Sequence, residues 1–240
     1  MARSNRPGVR AQAGIAAQVG ERLARHNADA LIGAAPHSAR SAPQFRLAEN
    51  FQVWTLGNSA LSALHHGLQG LSPEQRLIEF AENTRRVHHQ IRGSRGRAIG
   101  YARSIPGVGS EPTDEWKVQS VNISALASAI DKTIRWIDRK GLATQCPTAA
   151  DKHRVRLLAL PQYHVTAFWL ECARTDHIVV IDMPMGMSEM RLRHPYKWYE
   201  FFEALSQTKP VGAPAADAST MSRPPPALPR NAPRATPNSS

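Results

Sequence analysis

The chain is 240 residues long, 42% of its residues are hydrophobic, and its formal net charge is +11. That length accommodates one domain of ordinary size with flanking segments. No apolar run approaches the roughly 20 residues that a membrane-spanning helix needs, and the N-terminus lacks the apolar stretch of a secretory signal. We therefore expect no membrane span and, by default, a cytoplasmic location.

Cysteine occurs at two positions, Cys146 and Cys172. Two cysteines do not make the disulfide framework of a small secreted domain. Cys172 lies in an apolar segment, where a buried free thiol is expected. A reducing compartment is the default that follows.

The positive charge is concentrated in three segments. Residues 1–46 carry seven Arg and two acids, for +5, and residues 206–240 carry four basic residues and one acid, for +3. The remaining +3 falls on residues 47–205, in which residues 85–103 contain six Arg and no acid. A nucleic-acid-binding domain usually carries its charge on one folded face. The distribution of positive charge therefore makes nucleic-acid binding less expected. Within the folded domain, residues 85–103 are the candidate segment for it.

Residues 1–44 predict a basic, largely disordered leader. Ile15, Val19 and Leu23 recur at helical spacing within it, which indicates a marginal helix. An Arg-rich, acid-poor and mildly amphipathic N-terminus is also typical of organelle transit peptides. The leaders of bacterial proteins exported by specialised secretion systems have the same character. Organelle targeting and such export are the alternatives to a cytoplasmic location.

Residues 207–240 consist largely of Pro, Ala, Ser and Thr. Such a segment buries too little apolar surface to offset the entropy of ordering, so a disordered tail is predicted. Residues 223–229 fit the Arg-x-x-Pro-x-x-Pro pattern that SH3-type grooves bind, although any Pro-rich tail produces such matches by chance. The folded domain is thus expected over residues 45–206.

Residues 45–93 predict a helical array. Asn58 caps one helix, and Ser72 and Gln75 form the capping box of a second helix. The apolar positions of the second helix recur at helical spacing: Leu77, Phe80, Ala81, Thr84, Val87 and Ile91. A loop punctuated by Gly and Pro follows over residues 93–112.

The C-terminal half predicts strands and two further helices. Three segments are rich in β-branched and aromatic side chains and favour strands: residues 155–160, 163–172 and 177–182. Before them, residues 116–121 favour a short strand, and an amphipathic helix then stops at Gly141. Pro195 opens a last, aromatic helix. The fold class that follows is α+β: an N-terminal helical array packed on a small antiparallel sheet, with a closing C-terminal helix.

Ser59, His164 and Asp182 follow one another along the chain as a nucleophile, a base and an orienting acid do. His164 begins one predicted strand, Asp182 ends the next, and Ser59 opens a helix far upstream. This layout resembles that of the papain-like cysteine proteases that bacteria secrete as effectors. The resemblance implies that these three residues are catalytic. Because the nucleophile position holds Ser rather than Cys, and imidazole activates Ser less readily, it also implies an inactive homologue.

Residues 155–205 resemble the closing hairpin and helix of a group of bacterial proteins of similar size. The resemblance rests on residues 160–170, 176–181 and 200–205, and it implies no activity.

Arginine is concentrated around a short Gly-x-x-Gly loop, residues 93–96. KH domains use a loop of this kind to hold single-stranded nucleic acid, although they place an aliphatic residue where this chain has Arg92. The candidate nucleic-acid or phosphate contacts are Arg85, Arg86, Arg92, Arg95 and Arg97. The alternative is a solvated basic loop.

The adjacent pairs His65-His66 and His88-His89 lie too far apart on the predicted helices to share a metal ion. No metal site and no cofactor are predicted. Because no complete catalytic set is present, the first function hypothesis is a non-enzymatic interaction or accessory protein of bacterial type with an unknown protein partner. A papain-like protease or pseudoprotease and a nucleic-acid-binding protein are the alternatives, so the question of enzymatic activity stays open.

Overall fold

The computed structural model describes residues 7–31, 44–107, 115–142, 146 and 155–208. Parts of the predicted leader, residues 1–6 and 32–43, lie outside these residues. The predicted tail from residue 209, with its Pro-rich motif, also lies outside them. None of the described helices is long and apolar enough to cross a bilayer.

Four α-helices and eight β-strands make up the described part of the chain. The helices are α1 (Val9–Leu31), α2 (Asn58–His65), α3 (Ala125–Lys140) and α4 (Trp198–Ser206). The strands are β1 (Phe45–Leu56), β2 (Ala81–Gly93), β3 (Ala98–Pro106), β4 (Trp116–Asn122), β5 (Val155–Leu160), β6 (Val165–Leu170), β7 (His177–Asp182) and β8 (Pro195–Lys197). Short 3-10 helices at Leu77–Glu79 and Pro161–Tyr163 precede β2 and β6.

The eight strands form one mixed sheet in the order β4-β3-β2-β1-β5-β6-β7-β8. Each half is an antiparallel meander, β1 to β4 on one side and β5 to β8 on the other. The halves meet where β1 runs parallel to β5, with Val53 opposite Leu157 and Trp54 opposite Leu158. Parallel neighbours need a crossover connection, and the chain from β2 to α3 supplies it.

Helices α2 and α4 cover one face of the C-terminal half of the sheet. Trp198, Phe201 and Phe202 of α4 are fully buried there beside Trp169 of β6 and Tyr163. Each such aromatic side chain contributes about 1.5–3 kcal/mol by leaving water. The aromatic helix therefore anchors this half of the sheet.

Helix α3 covers the opposite face. Ile130 and Ile137 are buried against Phe51 of β1 and Phe168 of β6. Successive side chains of a strand point to opposite faces, so Phe168 lies in this second core while its neighbour Trp169 lies in the first. The C-terminal half is therefore buried on both faces, which explains why its strands are nearly continuous apolar runs.

Helix α1 packs on the N-terminal half of the sheet. Its residues Ile15 and Val19 are completely buried in one cluster with Val87 and Ile91 of β2. The side chain of Gln90, which points to the other face, donates to the carbonyl of Ala127 in α3 at 2.6 Å. Strand β2 is thus enclosed between α1 and α3. The predicted domain boundary at residue 45 leaves out α1, whose buried stripe is part of the core.

The predicted helical array over residues 45–93 is wrong, apart from α2. Phe45–Leu56 and Ala81–Gly93 are strands, and only a single 3-10 turn, Leu77–Glu79, follows the predicted capping box. Half of the box is present, since the backbone N–H of Ser72 donates to the side-chain oxygen of Gln75 at 2.8 Å, whereas the backbone N–H of Gln75 donates to the carbonyl of Ser72. It initiates a turn rather than a helix, because the following apolar residues pair across a sheet.

The α+β class is confirmed, but the sheet is large and mixed rather than small and antiparallel. The predicted loop over residues 93–112 contains β3, and the last helix begins at Trp198 after the short strand Pro195–Lys197. Helix α3, its stop at Gly141 with a φ of 62°, and strands β4 to β7 are confirmed.

Candidate functional site

Ser59, His164 and Asp182 lie near one end of the sheet. Ser59 is exposed in the first turn of α2, which follows β1. Because β1 and β5 are parallel, the end of β1 lies at the same edge as the β5–β6 connection. His164 is exposed in that connection with a φ of 52°, so it precedes the strand β6 that it was expected to begin. Asp182 ends β7 opposite Thr166.

The hydrogen bonds expected of a triad do not link these residues. Within the part of the chain that the structure describes, no hydrogen bond joins the side chains of Ser59, His164 and Asp182. A working nucleophile and base need near hydrogen-bond reach of one another. The three residues therefore share an edge of the sheet but form no linked set.

Four of the six arginines of residues 85–103 fall into two exposed groups. Arg85 and Arg86 are exposed near the start of β2, whereas Arg95 and Arg97 are exposed in the hairpin turn after it. At about 3.3 Å per residue, the stretch from Arg85 to the turn spans about 25 Å. The Gly-x-x-Gly loop connects two strands rather than two helices, unlike the arrangement that its resemblance to KH domains implies.

Arg92, the remaining member of the predicted cluster, is held in an ion network. Its guanidinium donates to Asp131 of α3 at 2.7 Å and to Glu49 of β1 at 3.1 Å. Burial acts to lower the pKa of Arg92, but the bonds to Asp131 and Glu49 outweigh it and raise the pKa. Asp131 also accepts from Arg135 at 2.7 Å. Arg92 therefore joins the sheet to α3 and has no charge left over for a ligand.

A basic cleft lies between α3 and the loop before β8. It is open to solvent and has a volume of about 760 Å³, and the described residues that line it are Lys132, Arg135, Asp138, Arg139 and Arg193. Positions 132, 135 and 139 recur at helical spacing, so they lie on one face of α3. That pattern was a signal available in the sequence, whereas the arrival of Arg193 from a loop more than fifty positions later was not.

The second His pair is buried beneath α3 and α1. His88 stacks on Tyr101 with ring centroids 4.5 Å apart, and His89 shares a hydrogen bond of 2.7 Å with the Ser104 hydroxyl. Burial, with the nearby Arg103 charge, lowers the pKa of His88 to about 3. Burial alone lowers the pKa of His89 to about 4. Both rings are neutral at pH 7 and act as core side chains.

Cys146 and Cys172 form a disulfide, so the predicted buried free thiol at Cys172 is wrong. The bond ties the chain after α3 to the end of β6, and both residues are buried. The ring nitrogen Nδ1 of His177 lies 3.5 Å from Sγ of Cys172 and 3.7 Å from Sγ of Cys146. The two cysteines are 26 residues apart in the sequence, and this spacing does not predict the disulfide. The contact depends on where α3 crosses the sheet.

Comparison of the chain with protein-family models, with curated proteins and with solved structures finds no match.

Proposed function

We propose that the protein is a non-enzymatic binding protein that takes up an acidic segment of a partner protein in the basic cleft. The observation that carries the proposal is the charge of that cleft, whose described lining residues are four cations, Lys132, Arg135, Arg139 and Arg193, and one acid, Asp138. A cleft of one charge sign focuses its field and attracts ligands of the opposite sign.

Three of the cations are available to a ligand. Among the described residues, Lys132, Arg139 and Arg193 make no ion pair, whereas Arg135 shares Asp131 with Arg92. A unit charge pair at 4 Å is worth about 1 kcal/mol in water and more in a partly enclosed site. Three such contacts suit the reversible binding of a short acidic segment.

The cleft is partly preformed. The backbone N–H of Arg193 donates to the carbonyl of Val180 in β7 at 2.9 Å, and the residue has a left-handed φ of 53°. Arg139 donates through Nε to the carbonyl of Arg135 at 3.3 Å. Ordering side chains before binding reduces the entropy lost on association.

An acidic protein segment suits the cleft better than nucleic acid does. Proteins that hold single strands combine a basic groove with aromatic side chains on which the bases stack. The described lining contains no aromatic residue, and Asp138 repels a neighbouring phosphate. Arg85, Arg86, Arg95 and Arg97, at the two ends of β2, are not among the described lining residues.

The test uses the full chain and a short fluorescein-labelled oligoglutamate peptide as the probe, with binding followed by fluorescence anisotropy. We expect Lys132→Glu with Arg139→Glu to weaken binding by about tenfold or more, since two attractive contacts become repulsive. The matched control is Arg95→Glu with Arg97→Glu, which makes the same change of charge in an exposed hairpin.

If both double variants weaken the peptide equally, the binding follows net charge and the cleft is not the site. A mixed-sequence oligonucleotide bound in preference to the peptide, and lost in the Arg95 and Arg97 variant, would instead support the nucleic-acid alternative.

A second candidate is the papain-like hydrolase with Ser59 as nucleophile, His164 as base and Asp182 as orienting acid. Its support is the common sheet edge of the three residues. A serine-directed fluorophosphonate probe tests it. Labelling that is lost in both Ser59→Ala and His164→Ala would establish the hydrolase, whereas the binding-protein proposal expects no labelling of Ser59.

A further inference from the structure

Cys146, Cys172 and His177 bring three metal-ligating atoms together beside α3. Their ligand atoms all lie within 4.8 Å of one another, which among the described residues makes them a group able to hold a metal ion. Both sulfurs are buried, while His177 is half-buried at the start of β7. None of these residues takes part in the basic cleft.

The position of His177 matches that of a third ligand. In a tetrahedral zinc site with Zn–S of about 2.3 Å and Zn–N of about 2.05 Å, a sulfur and a nitrogen ligand lie about 3.6 Å apart. Nδ1 of His177 lies 3.5 Å and 3.7 Å from the two sulfurs. Only the sulfur–sulfur distance differs, because the atoms are bonded in the oxidised form.

We propose that, once the disulfide is reduced, Cys146, Cys172 and His177 bind one thiophilic divalent cation of the Zn²⁺ type. The neighbouring carboxylate of Asp176 is already used by Arg76 and by the backbone N–H groups of Leu77 and Cys172. Since the group found among the described residues has only these three members, water would complete the coordination, with three protein ligands and one open position.

The reaction is balanced with a dithiol as reductant. The dithiol transfers two electrons and two protons to the bond between Cys146 and Cys172 and leaves as its own disulfide. The two thiols then release two protons when the divalent cation binds them as thiolates. His177 contributes the lone pair of Nδ1 as a neutral imidazole.

The disulfide-bonded and the metal-bound protein link the same segments in different ways. The disulfide joins the chain after α3 to the end of β6. The metal would hold these segments together through both sulfurs and add His177 of β7. The protein would thus keep the position of residue 146 in oxidising and in reducing surroundings, with metal affinity present only in the latter.

Titration of the full chain with Co²⁺ tests the proposal, because thiolate-bound cobalt absorbs visibly. The reduced protein should bind one equivalent, with thiolate-to-cobalt charge-transfer and tetrahedral d–d bands, and the oxidised protein should show neither. Cys146→Ser should abolish the tetrahedral dithiolate spectrum. His177→Ala should weaken binding by about tenfold or more, since loss even of a supporting residue costs that much.

His194→Ala is the matched control, since His194 is an exposed imidazole that contacts Tyr196 and is not one of the three ligands. It should leave the titration unchanged. Circular dichroism of each reduced variant distinguishes loss of metal binding from loss of the fold. Cys146 is chosen for substitution because it follows α3, whereas Cys172 lies within the β6–β7 hairpin. The proposal is overturned if the reduced protein binds no Co²⁺, if the oxidised protein binds it equally, or if His177→Ala and His194→Ala behave alike.

Discussion

The guanidinium of Arg76 donates to the carboxylate of Asp176 at 2.9 Å, joining residues 100 positions apart in the chain. The Asp176 carboxylate is fully buried and also accepts from the backbone N–H of Leu77 at 3.1 Å and of Cys172 at 3.3 Å. The pKa of Arg76 is raised, and the largest cause is the hydrogen bond from its side chain to Asp176. The pair links the connection before β2 to the β6–β7 turn.

Replacement of Asp176 by Ala should destabilise the protein strongly. It leaves the Arg76 charge and two backbone donors without their acceptor, and breaking a buried pair in this way costs about 3–5 kcal/mol. Urea unfolding measures the change. Arg174→Ala in the same turn removes an exposed side chain and should stay within about 0.5 kcal/mol of the wild type; equal effects of the two substitutions would contradict the role given to Asp176.

Stability should fall as the pH is lowered below about 6.5. The pKa values of His88 and His89 are lowered to about 3 and about 4 in the folded chain, whereas in the unfolded chain each takes up a proton near pH 6.5. The stability that comes from keeping the two buried rings neutral is fully present above about pH 6.5, and it is lost as the pH falls towards 3 to 4. Each histidine contributes about 1.4 kcal/mol per pH unit within its window.

His88→Phe separates this effect from the titration of carboxylates. Phe keeps the ring stacked on Tyr101 and removes a buried group whose nitrogens lack well-aligned partners among the described residues. We expect stability at pH 7 to be equal or higher. Between pH 5.5 and 4.5 the slope of unfolding free energy against pH should be shallower by about 1.4 kcal/mol per unit; an unchanged slope would show that His88 is protonated in the folded chain.

Arg156→Lys should weaken the junction between the two halves of the sheet. The Arg156 guanidinium carbon lies 4.4 Å from the ring centroid of Trp54 on β1 and 4.3 Å from that of Trp169 on β6. Lys keeps the charge but not the planar stacking surface, so a loss of about 1–2 kcal/mol is expected. Thermal unfolding followed by tryptophan fluorescence measures it, with the exposed Arg95→Lys as the control that should be silent.

Gly100→Ala should be destabilising because β3 runs close to the end of β4 at this position. A Cβ at residue 100 would lie 2.5 Å from the carbonyl oxygen of Asn122. Backbone must move to admit it, which costs about 1–3 kcal/mol. At Gly93 the added Cβ would meet only the Ile99 side chain at 3.4 Å. Gly93→Ala should therefore be tolerated, and equal urea midpoints for the two variants would contradict the close approach.

Local patterns predict the elements whose partners are simple. In α3 and α4 the apolar residues follow the helical period, and β5 to β7 are nearly continuous runs of β-branched, aromatic and aliphatic residues, so neighbouring residues are sufficient to predict them. Strand β2 is different, because its buried residues include His88, His89 and Gln90 alongside Val87 and Ile91. Polar residues on both buried faces hide the alternation of a strand, and the remaining apolar positions fall at helical spacing.

Contacts between distant segments could not be predicted from such patterns. The disulfide, the Arg76–Asp176 pair and the approach of Arg193 to α3 all depend on the order of strands in the sheet. The basic face of α3 was predictable in part, from the spacing of Lys132, Arg135 and Arg139. Residues 85–103 were predicted to bind nucleic acid or phosphate because their positive charge is dense along the sequence. In the structure, β2 separates that charge into two groups.

Mapping of an acidic ligand by backbone amide chemical shifts tests the central claim most directly. On titration of the isotope-labelled full chain with oligoglutamate, the largest saturable shifts should fall on Lys132, Arg135, Arg139 and Arg193. Residues 93–97 of the basic hairpin should move little, and Lys132→Glu with Arg139→Glu should remove the response. Largest shifts in the hairpin, or shifts spread evenly over all exposed cations, would contradict the assignment of the cleft as the binding site.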